Sequence, residues 1–393
     1  MSAFFLFMVI LLGLAALLRI DFFFTILYLF VAVYVTLRVW ADRALAGLTI
    51  ERAFENRAFI GDTVTVKLTI TNTSRLPVPW LMVNEAIHWS LSASDSLRCV
   101  FSLRGKESQT VEYTLKPGRR GYFLVGPLVI NTGDLLGLRR GLTGRLAASH
   151  LIVYPKILPL PELGLPAFSP QVVLPAPVPI FEDPARITGL RPYRWGDNPR
   201  HIHWPATAGS GQVVVKQFQP AIARESALFT NLDRRDYPRK YREYALELSI
   251  IAAASLANHM LTREKLPVGL DATALDPLTK QVRAFHLPPH REQSHLLQIL
   301  EVLARVQPVD EGDFVANLRR QAVRLSWGAT IVVITGQASE GLLETLLWLK
   351  ESGFRPALVL VSQHPRSQHA ARLAIPVFDI WREKDIEAWP AIL

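Results

Sequence analysis

The sequence predicts a protein in three parts: an N-terminal transmembrane helical hairpin, a β-sandwich-like domain and a doubly wound α/β domain. Two adjacent apolar runs begin the chain, short stretches with alternating apolar residues follow, and strand-like and helix-like segments alternate in the second half. Half of the 393 residues are hydrophobic, which is high for a purely soluble protein. We expect the parts at residues 1–40, 45–152 and 221–393, with a proline-rich connector and a motif segment at 153–220.

The first part is predicted from two apolar runs. Residues 3–18 carry no charge, and after a break that contains Arg19 and Asp21 a second run extends over residues 22–37. Roughly 20 apolar residues are needed to cross about 30 Å of hydrocarbon, and each run approaches that length if the two charged side chains reach the lipid surface. We interpret the region as two transmembrane helices. A signal peptide is the alternative, but the segment lacks a basic start and an A-x-A cleavage site.

The orientation in the membrane is predicted from the arginines. Arg38, Arg43, Arg52 and Arg57 follow the second run, whereas the short turn carries one arginine and one aspartate. Because cytoplasmic flanks are enriched in basic residues, both ends should face the cytoplasm. We therefore expect a multi-pass protein of the inner (plasma) membrane, held in the lipid bilayer by two N-terminal helices, with its soluble body in the cytoplasm.

Charge and cysteine content restrict the function classes. The formal net charge of +9 suits an anionic partner, either nucleic acid or anionic lipid, but the basic residues are scattered and form no concentrated basic helix. We therefore expect no nucleic-acid partner. Cys99 is the only cysteine, which excludes an intrachain disulfide and a zinc site built on several thiolates.

The second part is predicted from period-two patterns. Residues 63–70 alternate polar and apolar side chains, and the runs 97–103, 109–115 and 121–130 repeat the pattern with glycine and proline between them. These patterns are typical of half-buried strands and predict a small antiparallel β-sandwich. The proline-dense residues 155–184 then predict an extended connector.

A dense motif follows the connector and reads G-L-R-P-Y-R-W-G-D-N-P-R-H-I-H-W from Gly189 to Trp204. It resembles the signature of the bacterial family known as domain of unknown function 58, approximately G-x-R-x-Y-x-x-G-D-D-x-R-x-I-H-W. The matching positions are Gly189, Arg191, Tyr193, Gly196, Asp197, Arg200, Ile202, His203 and Trp204, and Lys216 lies in a similar following strand. Asn198 and Pro205 depart from the signature.

The resemblance implies a membrane-anchored cytoplasmic protein whose C-terminal domain is similar to von Willebrand factor A domains. It also implies a protein partner of the MoxR-type AAA+ ATPase class. We therefore expect a non-catalytic adaptor or scaffold that works with such an ATPase in complex assembly or maturation.

The motif itself leaves several hypotheses open. Residues 196–199 predict a turn, in which Arg200 could pair with Asp197. On a strand, His201 and His203 would share a face, so that with Asp197 they suggest a metal site or a metal-dependent enzyme.

Two other interpretations of the motif need no metal. One is a hydrogen-bonded structural cluster in which Trp204 packs, His203 is hydrogen-bonded and the arginines hold carboxylates or backbone carbonyls. The other is an anion-binding patch formed by Arg191, Arg194, Arg200 and Lys216.

The third part is predicted from alternating segments. Strand patterns at 227–230, 268–272, 282–287, 330–334 and 356–361 alternate with helical patterns at 238–263, 291–306, 313–325 and 339–352. Such alternation predicts a mainly parallel sheet with helices on both faces. Ligands of such sheets bind at the carboxyl ends of the strands, which places the functional edge after Thr230 and Ile334.

The loop after Thr230 is where the resemblance implies a metal site. Von Willebrand factor A domains carry a D-x-S-x-S loop there, whose oxygens suit Mg²⁺. In this sequence Asn231, Asp233 and Arg235 occupy the corresponding positions, and the later strand ends in Thr335-Gly336-Gln337 without an aspartate. We predict that metal binding is lost and that no cofactor is bound. A remodelled site that uses Asp233 is the alternative.

The sequence does not predict an enzyme. It contains no G-x-S-x-G elbow, P-loop, G-x-G-x-x-G fingerprint or H-E-x-x-H helix. We therefore name no catalytic residue. A site assembled from distant residues, such as Asp197, His203 and Asp233, is the alternative.

Overall fold

The computed structural model describes residues 2–18, 21–93, 98–133, 140–161, 182–194, 197, 199–220, 225–363 and 375–388. The chain forms two compact units. The first comprises residues 1–156, 277–279 and 300–306, and the second comprises residues 157–276, 280–299 and 307–393.

The first unit begins with two apolar helices, α1 (Ser2–Leu18) and α2 (Asp21–Ala46). Phe7 and Phe30 meet edge to face, with ring centroids 5.5 Å apart. Residues Phe22–Ala44 of α2 are long and apolar enough to cross a membrane, with a mean hydropathy of 2.1. The N-terminal apolar helix is therefore confirmed as a candidate membrane span, which by itself is weak support for membrane association.

The end of α2 differs from the prediction, because the helix continues nine residues beyond Leu37 to Ala46. Ala44 is buried in the core of the β-structure, and Trp40 packs against that core while its indole N–H donates to the carbonyl oxygen of Pro77 at 2.9 Å. The last turns of α2 are thus anchored on the β-structure. Of their apolar side chains, Ala44 is buried and Trp40 is half-buried, whereas Val39 is exposed.

The strands of the first unit form two sheets that share one hydrophobic core. The strands are β1 (Leu48–Ala53), β2 (Arg57–Phe59), β3 (Val64–Asn72), β4 (Val78–Ile87), β5 (Leu91–Ala93), β6 (Arg98–Leu103), β7 (Ser108–Pro117), β8 (Gly121–Gly133), β9 (Arg140–Leu146) and β10 (Ser149–Tyr154). One sheet has the order β1-β3-β7-β5, and the other has the order β2-β10-β8-β4-β6 with β9 beside β8. The pairs are antiparallel except β2 and β10.

The predicted alternation is clearest in β3. Val64, Val66, Leu68 and Ile70 are buried, while the residues between them are exposed or half-buried. Because successive side chains of a strand point to opposite faces, one face of β3 contributes to the core and the other faces water. The segment 121–130 is likewise part of a strand, β8.

The second unit contains a hairpin and a mixed α/β sheet. The strands are β11 (Glu182–Pro192), β12 (Val214–Pro220), β13 (Ser226–Thr230), β14 (Val268–Asp276), β15 (Gln281–His290), β16 (Thr330–Thr335), β17 (Arg355–Val361) and β18 (Val377–Ile380). The helices are α3 (Trp204–Ser210), α4 (Arg242–Thr262), α5 (Gln293–Arg305, whose residues from 300 on belong to the first unit), α6 (Phe314–Ala322), α7 (Glu340–Glu351) and α8 (Glu383–Glu387).

The sheet of the second unit has the order β15-β14-β13-β16-β17-β18. All neighbours are parallel except β14 and β15, which pair antiparallel at one edge. The α/β prediction is therefore confirmed at the level of a mixed, mainly parallel sheet. Strand β18 and helix α8 were not predicted.

Helix α4 is a core element of this unit. Residues Arg239–Thr262 satisfy the same length and hydropathy criteria as a membrane span, with a mean hydropathy of 1.3, but 83% of the apolar window is buried. Small residues such as Ala252, Ala253 and Ala254 are fully buried. A helix that is apolar on all sides and covered by protein is typical of a domain core.

The connector region is described only in part. Residues 155–161 have no regular structure, and 162–181 lie outside the described residues, as does the segment 134–139 of the first unit. The motif that follows is not a simple extended segment, since β11 and β12 pair as an antiparallel hairpin with an irregular register.

Candidate functional site

The loop that follows β13 lies at the carboxyl edge of the parallel sheet. Thr230 pairs with Ile334 of β16, and the backbone N–H of Asn231 donates to the carbonyl oxygen of Ile334 at 2.9 Å. The loops after the two central strands are thus adjacent, at the edge where doubly wound sheets bind ligands.

Asn231, expected from the resemblance to stand in for the leading aspartate of a D-x-S-x-S loop, presents hydrogen-bond donors. Its side-chain oxygen accepts the backbone N–H of Asp233 at 3.0 Å, which fixes the orientation of the amide. The amide nitrogen therefore faces Asp236 Oδ2 at 2.6 Å and Thr335 Oγ1 at 3.1 Å. Because N–H groups repel a cation, this buried position does not fit a metal ligand.

Asp233 is bound on several sides within its own loop. Its carboxylate accepts the backbone N–H groups of Arg235 at 2.9 Å and Gly312 at 3.0 Å. The Arg235 guanidinium lies against the same carboxylate, with Nη2 2.6 Å from Oδ2 and Nε 3.1 Å from Oδ1. Burial alone would raise the pKa of Asp233, but the hydrogen bonds and charge of Arg235 hold it below its ordinary value. The carboxylate is therefore ionised and balanced by a protein cation.

This donor set does not fit a divalent ion. A Mg²⁺ site requires several oxygen ligands with free lone pairs, whereas Asn231 presents N–H groups and Asp233 holds a guanidinium. Arg235 Nη2 also donates to the carbonyl oxygen of Gly312 at 3.1 Å, which secures its place. The remodelled metal site on Asp233 is thus not supported by the geometry.

Gly336 explains how the two edge loops approach each other. A Cβ atom at this position would lie 2.5 Å from the carbonyl oxygen of Asp236 and 2.5 Å from the Tyr237 ring. The Tyr237 hydroxyl in turn donates to the carbonyl oxygen of Asn231 at 2.6 Å. The glycine after β16 was visible in the sequence, but Asp236 and Tyr237 as partners of this loop were not foreseen.

The rim of the edge is charged and accessible. The Arg235 side chain is 59% exposed although its guanidinium binds Asp233. Arg234 lies 3.2 Å from Asp310 and 3.8 Å from Glu243. The edge therefore presents both signs of charge on a loop in which the buried side chains of Asn231 and Asp233 are hydrogen-bonded within the protein.

The motif residues lie on three adjacent segments. In the β11–β12 hairpin Gly189 pairs with Gln217, Leu190 with Lys216, and Arg191 with Val215. On the other side of β12, Ile202 bridges to Val215, and the backbone N–H of His203 donates to Val214 at 2.8 Å. Gly196 lies outside the described residues.

Asp197 pairs with Arg191, which corrects the expected Arg200–Asp197 pair. Arg191 Nη1 and Nη2 lie 2.7 Å and 2.8 Å from the two carboxylate oxygens, and the backbone N–H of Arg194 donates to Oδ2 at 2.8 Å. The hydrogen bonds from Arg191 and the Arg194 amide lower the pKa of Asp197 to about 2. This bidentate pair joins the two ends of the segment 191–197.

His203 is hydrogen-bonded, as the structural-cluster interpretation expects, and it acts as a helix cap. Residues Pro199–His201 form a 3₁₀ turn and His203 caps helix α3, so the two histidines do not share a strand face as expected. Nδ1 of His203 accepts the backbone N–H of Ala206 at 3.1 Å. Within the described part of the chain there is no group of three or more His, Cys, Asp and Glu side chains that could hold a metal ion.

Trp204 is exposed, which corrects the expectation that it packs. Its relative exposure is 68%, and that of Tyr193 is 37%. Trp204 is the first residue of α3, and the helix has no buried residue. The structural-cluster interpretation therefore holds for Arg191, Asp197 and His203 but not for the aromatic residues.

Sequence reasoning missed a charged cluster inside the first unit. Arg52 Nη2 lies 2.5 Å from Glu85 Oε1, and the Tyr113 hydroxyl donates to Glu85 Oε2 at 2.5 Å. Arg52 Nη1 also donates to the carbonyl oxygen of Ala147 at 2.9 Å and to Ser149 Oγ at 3.0 Å. Burial and then the Glu85 carboxylate raise the pKa of Tyr113. The cluster joins the two sheets.

The signal for this cluster was present in the alternation. Leu48, Ile50 and Arg52 share one face of β1, as Leu81, Val83 and Glu85 share one face of β4. A charged residue on the apolar face of each of two strands indicates a buried pair. Arg52 is consequently bound inside the unit, and it is not part of an exposed arginine flank beside the apolar helices.

Comparison with known proteins gives a family match and a distant relative. Residues 189–361 match the model of the family described as "Protein of unknown function DUF58". The "Uncharacterized protein YeaD" of Bacillus subtilis (strain 168) is 24% identical over 301 residues, which cover 72% of this chain and 68% of that protein. Neither description names a catalytic activity. The resemblance seen in the motif is thereby confirmed.

Similar solved structures cover less of the chain. The CARDB domain of the PF1109 protein from Pyrococcus furiosus is 18% identical, with a TM-score of 0.21, and covers 27% of this chain and 91% of that chain. Native alpha-2-macroglobulin from Escherichia coli is 17% identical, with a TM-score of 0.25, and the match covers 29% of this chain and 17% of that one. These scores are too low to support an argument.

Proposed function

We propose a function on the premise that residues 189–361 belong to the family described as Protein of unknown function DUF58. The protein is a non-catalytic, membrane-anchored adaptor or scaffold. Its C-terminal unit acts as a von Willebrand factor A-like recognition domain that binds a partner through the carboxyl edge of its sheet. The partner is a MoxR-type AAA+ ATPase, and the pair works in complex assembly or maturation.

The closure of the edge loop by Arg235 is the observation that carries this proposal. The loop that would hold a metal ion instead holds a guanidinium against Asp233, 2.6 Å from Nη2 to Oδ2. The buried side chains of Asn231 and Asp233 are hydrogen-bonded within the protein, and charged groups of both signs lie on the rim. A rigid edge of this kind suits recognition of a protein surface, because little conformational entropy is lost on binding.

The membrane part of the proposal depends on α1 and α2. We propose that both helices insert, which makes the protein multi-pass, and that Arg38 and Arg43 keep the body in the cytoplasm. Both arginines are exposed at the end of the apolar stretch. Helix α1 has 17 residues, which is short for a span unless its ends reach the lipid surface.

The alternatives from the motif receive less support. Asp197 is held by Arg191, and Nδ1 of His203 caps α3, so a metal-dependent or other enzyme on these residues would have to break both sets of bonds. An anion-binding role for Arg194, Arg200 and Lys216 is compatible with the geometry, but it does not explain the closed edge loop.

A detergent pulldown tests the proposed partner. The full-length tagged chain is extracted from membranes, and co-purified proteins are identified by mass spectrometry. We expect an AAA+ ATPase of the MoxR type. Asp310 is an exposed rim residue beside Arg234. Replacing it with arginine should reduce recovery of the ATPase several-fold, because two positive charges would then lie side by side at the edge.

The matched control is Glu112→Arg, a reversal of another exposed carboxylate that pairs with Lys67 in the first unit. It should leave the recovery unchanged. The proposed function is wrong if the unaltered chain recovers no such ATPase, or if Asp310→Arg and Glu112→Arg recover it equally well.

A further inference from the structure

Two residues of the family motif, Tyr193 and Trp204, and the nearby Val213 are exposed apolar residues, here called the row. They lie on three neighbouring segments, because the backbone N–H of Tyr193 donates to Val213 and that of His203 donates to Val214, both at 2.8 Å. Their exposed fractions are 37%, 44% and 68%, respectively. Large apolar groups exposed together mark a contact surface more often than isolated ones do.

The backbone beneath this row is held rigidly. Arg191 and Asp197 form a bidentate pair on the Tyr193 side. On the Trp204 side, His203 caps α3, and Thr207 Oγ1 accepts the backbone N–H of Val214 at 3.1 Å. Trp204 is thus presented on a fixed frame, which is the usual condition of an aromatic residue that dominates an interface.

The charged residues of this stretch of the chain are mostly basic. Between residues 189 and 216 the chain carries Arg191, Arg194, Arg200 and Lys216, with Asp197 as its only carboxylate, and Arg191 neutralises Asp197. Arg194 and Arg200 are exposed. A partner that covers the apolar row would therefore meet a basic rim, which favours acidic groups.

Trp89 of the first unit shows the contrast. It is also exposed, but the guanidinium of Arg119 lies 5.6 Å from its ring centroid and covers one face. The described contacts of the motif place no cation over Trp204. An exposed tryptophan by itself thus does not distinguish the motif from the region of Trp89. The motif differs because its tryptophan stands on a rigid backbone and has other exposed apolar residues nearby.

We propose that the row of Tyr193, Val213 and Trp204 is a docking surface for an acidic segment of a protein partner. An apolar side chain of that segment contacts Trp204, and its carboxylates face Arg194 and Arg200. This surface shares no residue with the edge loop at Asp233. The proposal therefore does not require the partner to be an ATPase.

Photo-crosslinking tests the surface. Benzoylphenylalanine replaces Val213 in the full-length chain in its native membranes, and adducts formed on irradiation are identified by mass spectrometry. We expect a peptide adduct whose crosslinked segment is rich in Asp and Glu. Its yield should fall at least about tenfold with Trp204→Ala, as for a central interface aromatic, and also with the double change Arg194→Glu and Arg200→Glu.

The control is Trp89→Ala, which removes an exposed tryptophan elsewhere and should leave the yield unchanged. Because Trp204 is exposed, Trp204→Ala should fold, which an unchanged melting temperature verifies. The proposal is overturned by lipid adducts, by a crosslinked segment without acidic residues, by no adduct, or by equal yields with Trp204→Ala. If the crosslink forms as expected but the pulldown finds no ATPase, the proposed function fails and this surface stands.

Discussion

The two units each contain a buried carboxylate held by an arginine, and the two pairs differ in where the arginine lies. In the first unit the side chains of Arg52 and Glu85 are 2% and 0% exposed. In the second unit Asp233 is 4% exposed, whereas Arg235 is 59% exposed. An arginine–carboxylate pair is therefore fully buried in the first unit, whereas in the second unit its arginine is accessible to solvent.

The difference follows from the elements that carry the pairs. Arg52 lies on β1 of one sheet and Glu85 on β4 of the other, so their bond crosses the core. Asp233 and Arg235 lie in one loop at the end of β13, where one side of the pair faces water. A buried pair affects stability chiefly when one partner is lost, whereas a pair at a surface can also contact another molecule.

The largest expected effect tests the buried side of the comparison. Glu85→Ala leaves the Arg52 guanidinium buried without its carboxylate, which should lower the free energy of unfolding by about 3–5 kcal/mol. Urea unfolding of the full chain in detergent measures this. Glu112→Ala removes an exposed carboxylate 2.9 Å from Lys67 in the same unit and should cost less than about 1 kcal/mol. If both variants lost a similar free energy of unfolding, the buried pair would be no more important for stability than the exposed one.

A smaller effect is expected where the backbone makes room for Arg52. Gly126 has φ of +102°, and a Cβ atom there would lie 2.8 Å from Arg52 Nη2. Gly126→Ala should lower the free energy of unfolding by about 1–3 kcal/mol through backbone strain. The added Cβ atom should lower it further, because it displaces the Arg52 guanidinium. Gly61 has a φ of +90° with open space around it, so Gly61→Ala measures the strain alone. Equal melting temperatures of the two variants would argue against the steric contribution.

The edge pair should give a weaker, pH-dependent effect. Asp233→Asn removes the charge that binds Arg235 and should cost about 1–2 kcal/mol at neutral pH. The pKa of Asp233 is lowered in the folded protein, so its contribution is present above the unfolded value near 3.9 and is lost as pH falls through the lower folded value. Melting temperatures of the original chain and the variant should therefore converge below pH about 4. A constant difference down to pH about 2 would contradict this.

The smallest effect is expected at the motif. Arg191→Lys replaces a bidentate pair with a single contact, which should leave the melting temperature unchanged but speed hydrogen exchange at the Arg194 amide, which donates to Asp197. Mass spectrometry of exchanged peptides measures this. Arg283→Lys, at another exposed arginine of the second unit, should leave exchange in the motif unchanged. Unaltered exchange in Arg191→Lys would mean that the pair does not hold the motif.

Much of the fold could be predicted from local patterns. The alternation at 63–70 became β3, the apolar run at 330–334 became β16, and Ser339 begins α7 as its N-cap. These signals depend on the period of one segment, which the sequence carries directly. The end of α2 was misjudged, because Trp40 and Ala44 are held by packing against the β-structure.

The location of the candidate site could be predicted from the sequence, but the contacts of its residues could not. The edge after Thr230, with Asn231, Asp233 and Arg235, followed from the strand order expected of α/β sheets and from the family resemblance. The partners of that edge, Gly312 and Thr335, come from chain segments about 80 and 100 residues away. The motif residues were identified, but Asp197 was assigned to the wrong arginine, because several arginines lie within reach along the chain.

The sequence by itself determined the apolar N-terminal helix, the alternating strands and the order of strands and helices, because each is set by residues close together in the chain. The tertiary structure decided that Arg52 binds Glu85 across two sheets, that Arg235 binds Asp233 in the loop after β13, and that Trp204 faces water. Burial and pairing of polar groups depend on neighbours brought together by the fold, so their energies are fixed only when the chain is folded.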